Sequence, residues 1–328
     1  MSAVPGASAT CFGKLPSRGD FVKGPSQHQL ISMLDRWVSS TMERLSDDPR
    51  WKTAYDAAPA VDFAFVGARS RISVVGHLRP SQDASGRRFP FLTVGTIERD
   101  DALMFRCAPA GLSRPFGQLR GIARAALEGS DIAQMLRELA AVDCGGEFSL
   151  ALAADPLGQF VRRTTLGGFA ALVPARLTPD AVRRIILAIG LLMRPVLGNG
   201  NAPIDKALVL PLPADEQHRN LAAGLWLYLV SAFLRKSAAE LQVLIARDAL
   251  GARLVVGFSG ASPRALLAVM SPGSEPDQAI VLDDPEWIDQ HDDLTRDYGV
   301  AKLSSYLQQP AVTLEAVVNT FREVFLGE

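Results

Sequence analysis

Between residues 27 and 46 apolar side chains recur at Leu30, Ile31, Leu34, Trp37, Val38, Met42 and Leu45. This spacing of three and four predicts an amphipathic helix, with Asp35, Arg36, Glu43 and Arg44 on its polar face. Asp47-Asp48-Pro49 breaks the pattern. The β-prone runs 61–66 and 72–78, on either side of Gly67-Ala68-Arg69-Ser70, then predict a hairpin, and 91–97 predicts a third strand. Helices are expected over about 115–128 and 131–142, the second begun by Ser130 with Asp131 in its first turn, where a carboxylate complements the helix dipole. The run 147–153 reads as a further strand and Gly167-Gly168 as a boundary loop.

The second half opens on Thr178-Pro179-Asp180, which joins a cap, a proline already at helical φ and a carboxylate suited to the dipole. A helix over 179–194 follows. A turn over 198–203, a buried strand over 207–212 and a long helix over 215–236 with Leu221, Leu225, Leu229 and Phe233 on one stripe come next. Strands are expected at 241–247, 253–258 and 265–270, and a last helix capped by Thr313 runs to Leu326. The order Leu-Pro, helix with Trp226, three strands echoes Leu15-Pro16, helix with Trp37, three strands. The echo fits either a duplication or two similar α+β layers without shared origin. The expected fold is α/β (α+β): antiparallel sheets flanked by helices, in two units, 1–160 and 161–328.

Composition narrows the functional classes. The 328 residues are 48% hydrophobic and 21% charged, which suits a folded globular chain. Lys plus Arg number 34 against 35 Asp plus Glu, so the net charge of −1 supplies no pull toward nucleic acid. Cys11, Cys107 and Cys144 are far apart and lack CxxC spacing, which speaks for a reducing, cytoplasmic setting and against both a disulfide framework and a zinc site. The N-terminus has no signal-like run, and the most apolar stretch, 185–193, is far short of the ~20 residues that cross a bilayer, so no integral membrane segment is expected.

Catalytic signatures are absent: the chain has no GxSxG, HExxH, P-loop or GxGxxG pattern, and His28, His77, His218 and His291 are scattered. The expectation is a non-enzymatic protein with neither metal nor cofactor. Nine acidic residues between Glu275 and Asp297 face only Arg296 within that stretch, which reads as a solvated face or as a docking surface for a basic partner.

Two loops are the most specific feature. One runs Phe12-Gly13-Lys14-Leu15-Pro16-Ser17-Arg18-Gly19-Asp20-Phe21-Val22, the other Arg79-Pro80-Ser81-Gln82-Asp83-Ala84-Ser85-Gly86-Arg87-Arg88-Phe89-Pro90-Phe91. Glycine, proline and opposite charges packed between apolar runs disfavour strand and helix, so they have a purpose other than filling a core. Lys14, Ser17, Arg18, Asp20, Ser81, Asp83, Arg87 and Arg88 are the candidate residues. Arginine forks suit carboxylates and phosphates, and an Arg–Asp clasp would brace the loops instead. Binding and bracing both remain open at the level of sequence.

These tokens, with Asp35-Arg36-Trp37 between them, resemble the TagF (ImpM) family of type VI secretion-associated proteins over about residues 11–97. Cys11-Phe12 stands where the family has an aromatic pair, Leu34-Asp35 where it has Trp-Asp, and Lys23-Gly24-Pro25 keeps only part of its basic and Leu-Pro tokens. The resemblance implies a cytoplasmic regulator that represses assembly or firing of a contractile injection apparatus. It implies partners among the type VI secretion components, with a forkhead-associated protein of the threonine-phosphorylation pathway as one candidate. Some relatives are fused to a phosphatase domain, which this chain shows no sign of. Other readings at this stage are a cryptic enzyme or nucleotide-sensing domain between Arg87, Arg88 and the first loop, and a structural scaffold.

Overall fold

The computed structural model describes residues 9–99, 103–129, 131–173, 177–198, 205–235, 237–249, 251–272 and 278–328. Strands β1 (Ala9–Gly13) and β2 (Val22–Lys23) are followed by helices α1 (His28–Ser46) and α2 (Trp51–Ala57), then by β3 (Val61–Gly67), β4 (Ile72–Arg79) and β5 (Phe91–Glu98). A helical stretch comes next: α3 (Leu103–Cys107), α4 (Ser113–Leu127), α5 (Ile132–Ala140), α6 (Cys144–Ala154), α7 (Pro156–Arg163), α8 (Leu166–Leu172) and α9 (Pro179–Gly198). After β6 (Ala207–Leu212) and α10 (Glu216–Ala232) come β7 (Glu240–Asp248), β8 (Gly251–Gly257), α11 (Pro263–Met270) and β9 (Ala279–Val281). The chain closes on α12 (Asp293–Arg296), α13 (Tyr298–Tyr306) and α14 (Leu314–Leu326).

The strands form one sheet in the order β2-β1-β5-β4-β3-β7-β8-β6-β9, antiparallel except for the β6–β9 pair. The two halves of the chain join where β3 pairs with β7, from Val61 opposite Ala246 to Gly67 opposite Glu240. Because successive side chains point to opposite faces, β3 feeds two cores. Val61, Phe63 and Phe65 meet α1, α2 and α11, while Ala64 and Val66 meet the larger helical layer containing α4 and α10. Burial on both faces explains why the β3 and β7 sequences are nearly continuous apolar runs.

The predicted helix over 27–46 is α1. Trp37 is 2% exposed, lies 5.1 Å and 5.0 Å from the rings of Phe63 and Phe65, and donates from Nε1 to the Ser262 carbonyl at 3.2 Å. Trp226 of α10 belongs to the opposite core and donates to the Pro211 carbonyl. The two tryptophan helices therefore lie on opposite faces of the sheet, and the echo between the halves does not extend to equivalent positions.

Three local expectations are corrected. The run 147–153 is helical, within α6, because Asp143 accepts the Gly146 amide at 2.8 Å and opens a helix; a short apolar run does not by itself distinguish helix from strand. Gly167 and Gly168 lie inside α8, where Thr165 accepts the Gly168 amide. The third C-terminal strand, 265–270, is α11, started by Ser262 and Pro263. Ser130, the expected cap of α5, and residues 199–203 of the expected turn lie outside the described residues.

The acidic stretch is largely an internal strap. Arg184 holds Asp284 and Asp289, Arg183 holds Asp289 at 2.5 Å, and Arg194 holds Asp293 and Asp297, so α9 binds the segment before α13. Hydrogen bonds from Arg184 and Arg194 keep Asp289 and Asp297, respectively, below the usual carboxylate range. Glu275 and Asp277 lie outside the described residues. Leu282 and Ile288 are fully buried beside these pairs, so the strap is anchored by apolar burial as well as charge.

Removing the indole that joins α1, β3 and the turn before α11 leaves a large cavity. Trp37→Ala is expected to cost about 3–5 kcal/mol, read as a lower chemical denaturation midpoint with an unchanged slope.

Candidate functional site

The two signature loops meet at one corner of the sheet. β1 hands the chain to the first loop at Gly13, whose φ of +133° suits glycine and where an added Cβ would fall 2.1 Å from the Pro90 carbonyl oxygen. β4 delivers the second loop, which reverses at Gly86 (φ +79°) and re-enters the sheet as β5. A backbone bond ties the loops together, the Ala84 amide donating to the Arg18 carbonyl at 2.8 Å, and the Phe89 amide closes the second loop on the Ser81 carbonyl at 3.0 Å.

Asp83 is the centre of this corner. Its side chain has no solvent exposure, yet Lys14 Nζ lies 3.0 Å and Arg87 Nε 2.7 Å from Oδ2. Its Oδ1 accepts the Ser85 amide, the Ser85 hydroxyl and the Arg87 amide at 2.7–3.0 Å. Burial alone would push the carboxyl up; hydrogen bonds from Ser85, the Arg87 amide, Lys14 and the Arg87 side chain outweigh it and hold the group well below the usual carboxylate range. Ser81, also buried, donates from its hydroxyl to the Lys14 carbonyl at 2.7 Å. Its backbone is clasped by Tyr55 of α2, whose hydroxyl accepts the Ser81 amide and donates to the Ser81 carbonyl.

An aromatic layer closes one side. The rings of Phe12 and Phe21 stack at 5.5 Å, Phe89 meets Phe21 edge-on at 4.9 Å, and Lys14 Nζ sits 5.1 Å above Phe21. Lys14 thus satisfies a carboxylate and covers a ring at once.

The candidate residues divide into two sets. Lys14, Ser81 and Asp83 form the buried clasp, and Arg88 makes a two-pronged pair with Asp56 of α2 at 2.7 and 2.8 Å. Ser17, Arg18, Asp20 and Arg87 are exposed. Arg87 is fixed by Asp83 and by donation to the Gly19 carbonyl at 2.7 Å while its side chain remains 63% exposed, and Asp20 accepts the Phe21 amide. The outcome is a braced base carrying a fixed, charged rim with part of Phe21 in solvent.

Tyr55 and Asp56 were not among the sequence candidates. They lie on a short helix 26 and 32 residues from their partners Ser81 and Arg88, and no spacing rule links them. A second missed set is His77, Asp62 and Arg120. His77 Nδ1 lies 2.7 Å from Asp62 Oδ1, and Arg120 of α4 bridges Asp62 to Glu216 of α10 at 2.6 and 2.7 Å. Asp62 and His77 are cross-strand partners, so their pairing follows from the β3–β4 register. This chain of charges pins helices from both halves to the sheet.

Burial pushes the Cys11 and Cys144 thiols up to about 12, which leaves them neutral and poorly nucleophilic. Among the described residues no group of His, Cys, Asp or Glu is arranged to hold a metal ion, and no helix is long and apolar enough to cross a membrane.

Residues 10–142 match the family model described as the TagF N-terminal domain, type VI secretion system-associated. The match contains both loops, the clasp and helices α1 to α5. Among solved structures, PA0076 from Pseudomonas aeruginosa PAO1 is similar at 26% identity with a TM-score of 0.35, over 42% of this chain and 63% of that one. The aligned part is thus less than two thirds of that protein. No curated protein matches the chain.

The ionised Asp83 contributes stability that is fully present above its unfolded value of about 3.9 and is lost as pH falls through the lowered native value. Asp83→Asn is accordingly expected to lower the melting temperature at pH 7, by a margin that shrinks as both proteins are taken from pH 5 toward pH 2. Melting curves across that range check it; a gap independent of pH would contradict the ionic origin.

Proposed function

We propose that this chain, which carries a TagF N-terminal domain over residues 10–142, is a non-enzymatic accessory protein of the type VI secretion system that represses its assembly or firing by binding one of its components in the cytoplasm. The observation that supports a binding role is the division of the signature corner. Every polar atom of the Asp83 carboxylate is saturated from within, whereas Arg18 and Asp20 project from a backbone that the clasp holds fixed. Bracing and binding are then two layers of one device, since a pre-ordered rim loses little conformational entropy when a partner docks. The absence of catalytic motifs and the neutral buried thiols suit a protein that acts by occupancy. A forkhead-associated protein is the first partner to test.

The test has two arms. Deleting the gene should raise secretion if the protein represses and abolish it if the protein is a scaffold. Complementation with Arg18→Ala/Asp20→Ala should leave secretion high while the variant accumulates at the wild-type level, and co-purification of one secretion component should fall by tenfold or more. Full repression by that variant would overturn the assignment of the rim.

A further inference from the structure

A row of residues crosses the sheet where β6, β8 and β7 run out together: Leu212 pairs with Ala252, and Ala252 with Arg247. Leu241, Val243 and Ile245 of β7 face the larger helical layer, so strand alternation puts Arg247 on that face too. Asp62 shares the face and pairs with Ile245, which makes Arg247 its diagonal neighbour. Arg120 brings α10 to the same place, since its guanidinium spans from Asp62 Oδ2 at 2.6 Å to Glu216 Oε1 at 2.7 Å. Arg219 lies three positions after Glu216, on the same side of α10. Its Nε and Nη2 donate to the Pro213 and Ala214 carbonyls, directly after β6.

Charge at this sheet end does not balance. Asp62 is shared by His77 and Arg120, Glu216 is held by Arg120, Asp215 by His218 and Asp248 by Arg253. Arg219 and Arg247 have no carboxylate partner among the described residues, and Arg219 Nη1 has no acceptor there. Burial and the like charge of Arg247 hold the half-buried Arg219 below the usual guanidinium range, against the pull of Glu216 and Asp62. Two guanidiniums set together without a counter-charge are relieved by an anion. The two forks come from a strand end and a helix start, so a phosphate, with several oxygens and up to two charges, can meet both, whereas a carboxylate matches one.

We propose that Arg219 and Arg247 form a binding site for a phosphate group, carried by the free ion or by a small phosphate monoester, between the end of β7 and the first turn of α10. None of the eight signature residues takes part, so this site is independent of the rim proposed above.

Isothermal titration calorimetry of the full chain at constant ionic strength tests this, with inorganic phosphate and O-phosphoserine as probes. At least one probe should bind saturably at one site, and the tighter of the two assigns the source of the phosphate group. Arg247→Ala, a change at an exposed side chain without a partner, should weaken binding by at least about tenfold while the melting temperature without phosphate stays unchanged. Arg114→Ala, at an exposed arginine far from this sheet end in the fold, should bind as the wild type does. Lack of saturable binding of both probes overturns the proposal, as does wild-type affinity in Arg247→Ala. An equal loss in Arg114→Ala and Arg247→Ala also overturns it, since binding would then follow net charge alone, and acetate binding as tightly as phosphate overturns the choice of ligand.

Discussion

The antiparallel pairing of β3 with β7 is the contact on which the rest of the molecule depends. Seven register pairs, Val61–Ala246 through Gly67–Glu240, turn two stretches of chain about 180 residues apart into one sheet. A sheet continuous across that junction offers two apolar faces and needs helices on both. α1, α2 and α11 cover one, and the layer containing α4, α9, α10 and α14 covers the other. Each core draws on residues from before and after position 160, so neither layer belongs to one half of the sequence.

Charge is used in the same way at three places, always to fix a chain segment that apolar burial alone would leave free to shift. Asp83 fastens the second signature loop to the first through Lys14 and Arg87. Asp62, with Arg120 and Glu216, fastens α4 and α10 over β3 and β4. Arg183, Arg184 and Arg194 fasten the acidic segment to α9. The pairs at Asp83 and Asp62 are costly to separate, because both carboxylates are buried and would be left unsatisfied without their partners. Their value is positional. At the signature corner the positioned backbone also carries Ser17, Arg18 and Asp20, which are exposed.

Where the sequence could be read and where it could not follows from how local each cause is. α1, β3 to β5, α9, α10, β6 to β8 and α14 were legible, because period, caps and turn residues act within a few positions. α6 and α11 were misread as strands because a short run rich in apolar residues has no clear period. α6 is a helix with an apolar outer face, and α11 a buried helix whose start depends on Ser262 and Pro263. At the candidate site the eight signature residues were identifiable by type, yet their division into clasp and rim was not.

The sequence by itself determined the mixed α/β character, most element positions, the lack of known catalytic signatures and the loops that carry the family likeness, since these are encoded in neighbouring residues. Only the tertiary structure decided that one sheet spans both halves, that Trp37 and Trp226 serve opposite faces, that Tyr55 and Asp56 complete the corner, and that the acidic run is largely spent on α9. The physical reason is range. A cap or a period is a property of adjacent residues, whereas a salt bridge, a side-chain hydrogen bond or a strand pairing between residues 26 to 225 positions apart exists only once the chain has closed those loops and removed the groups from water.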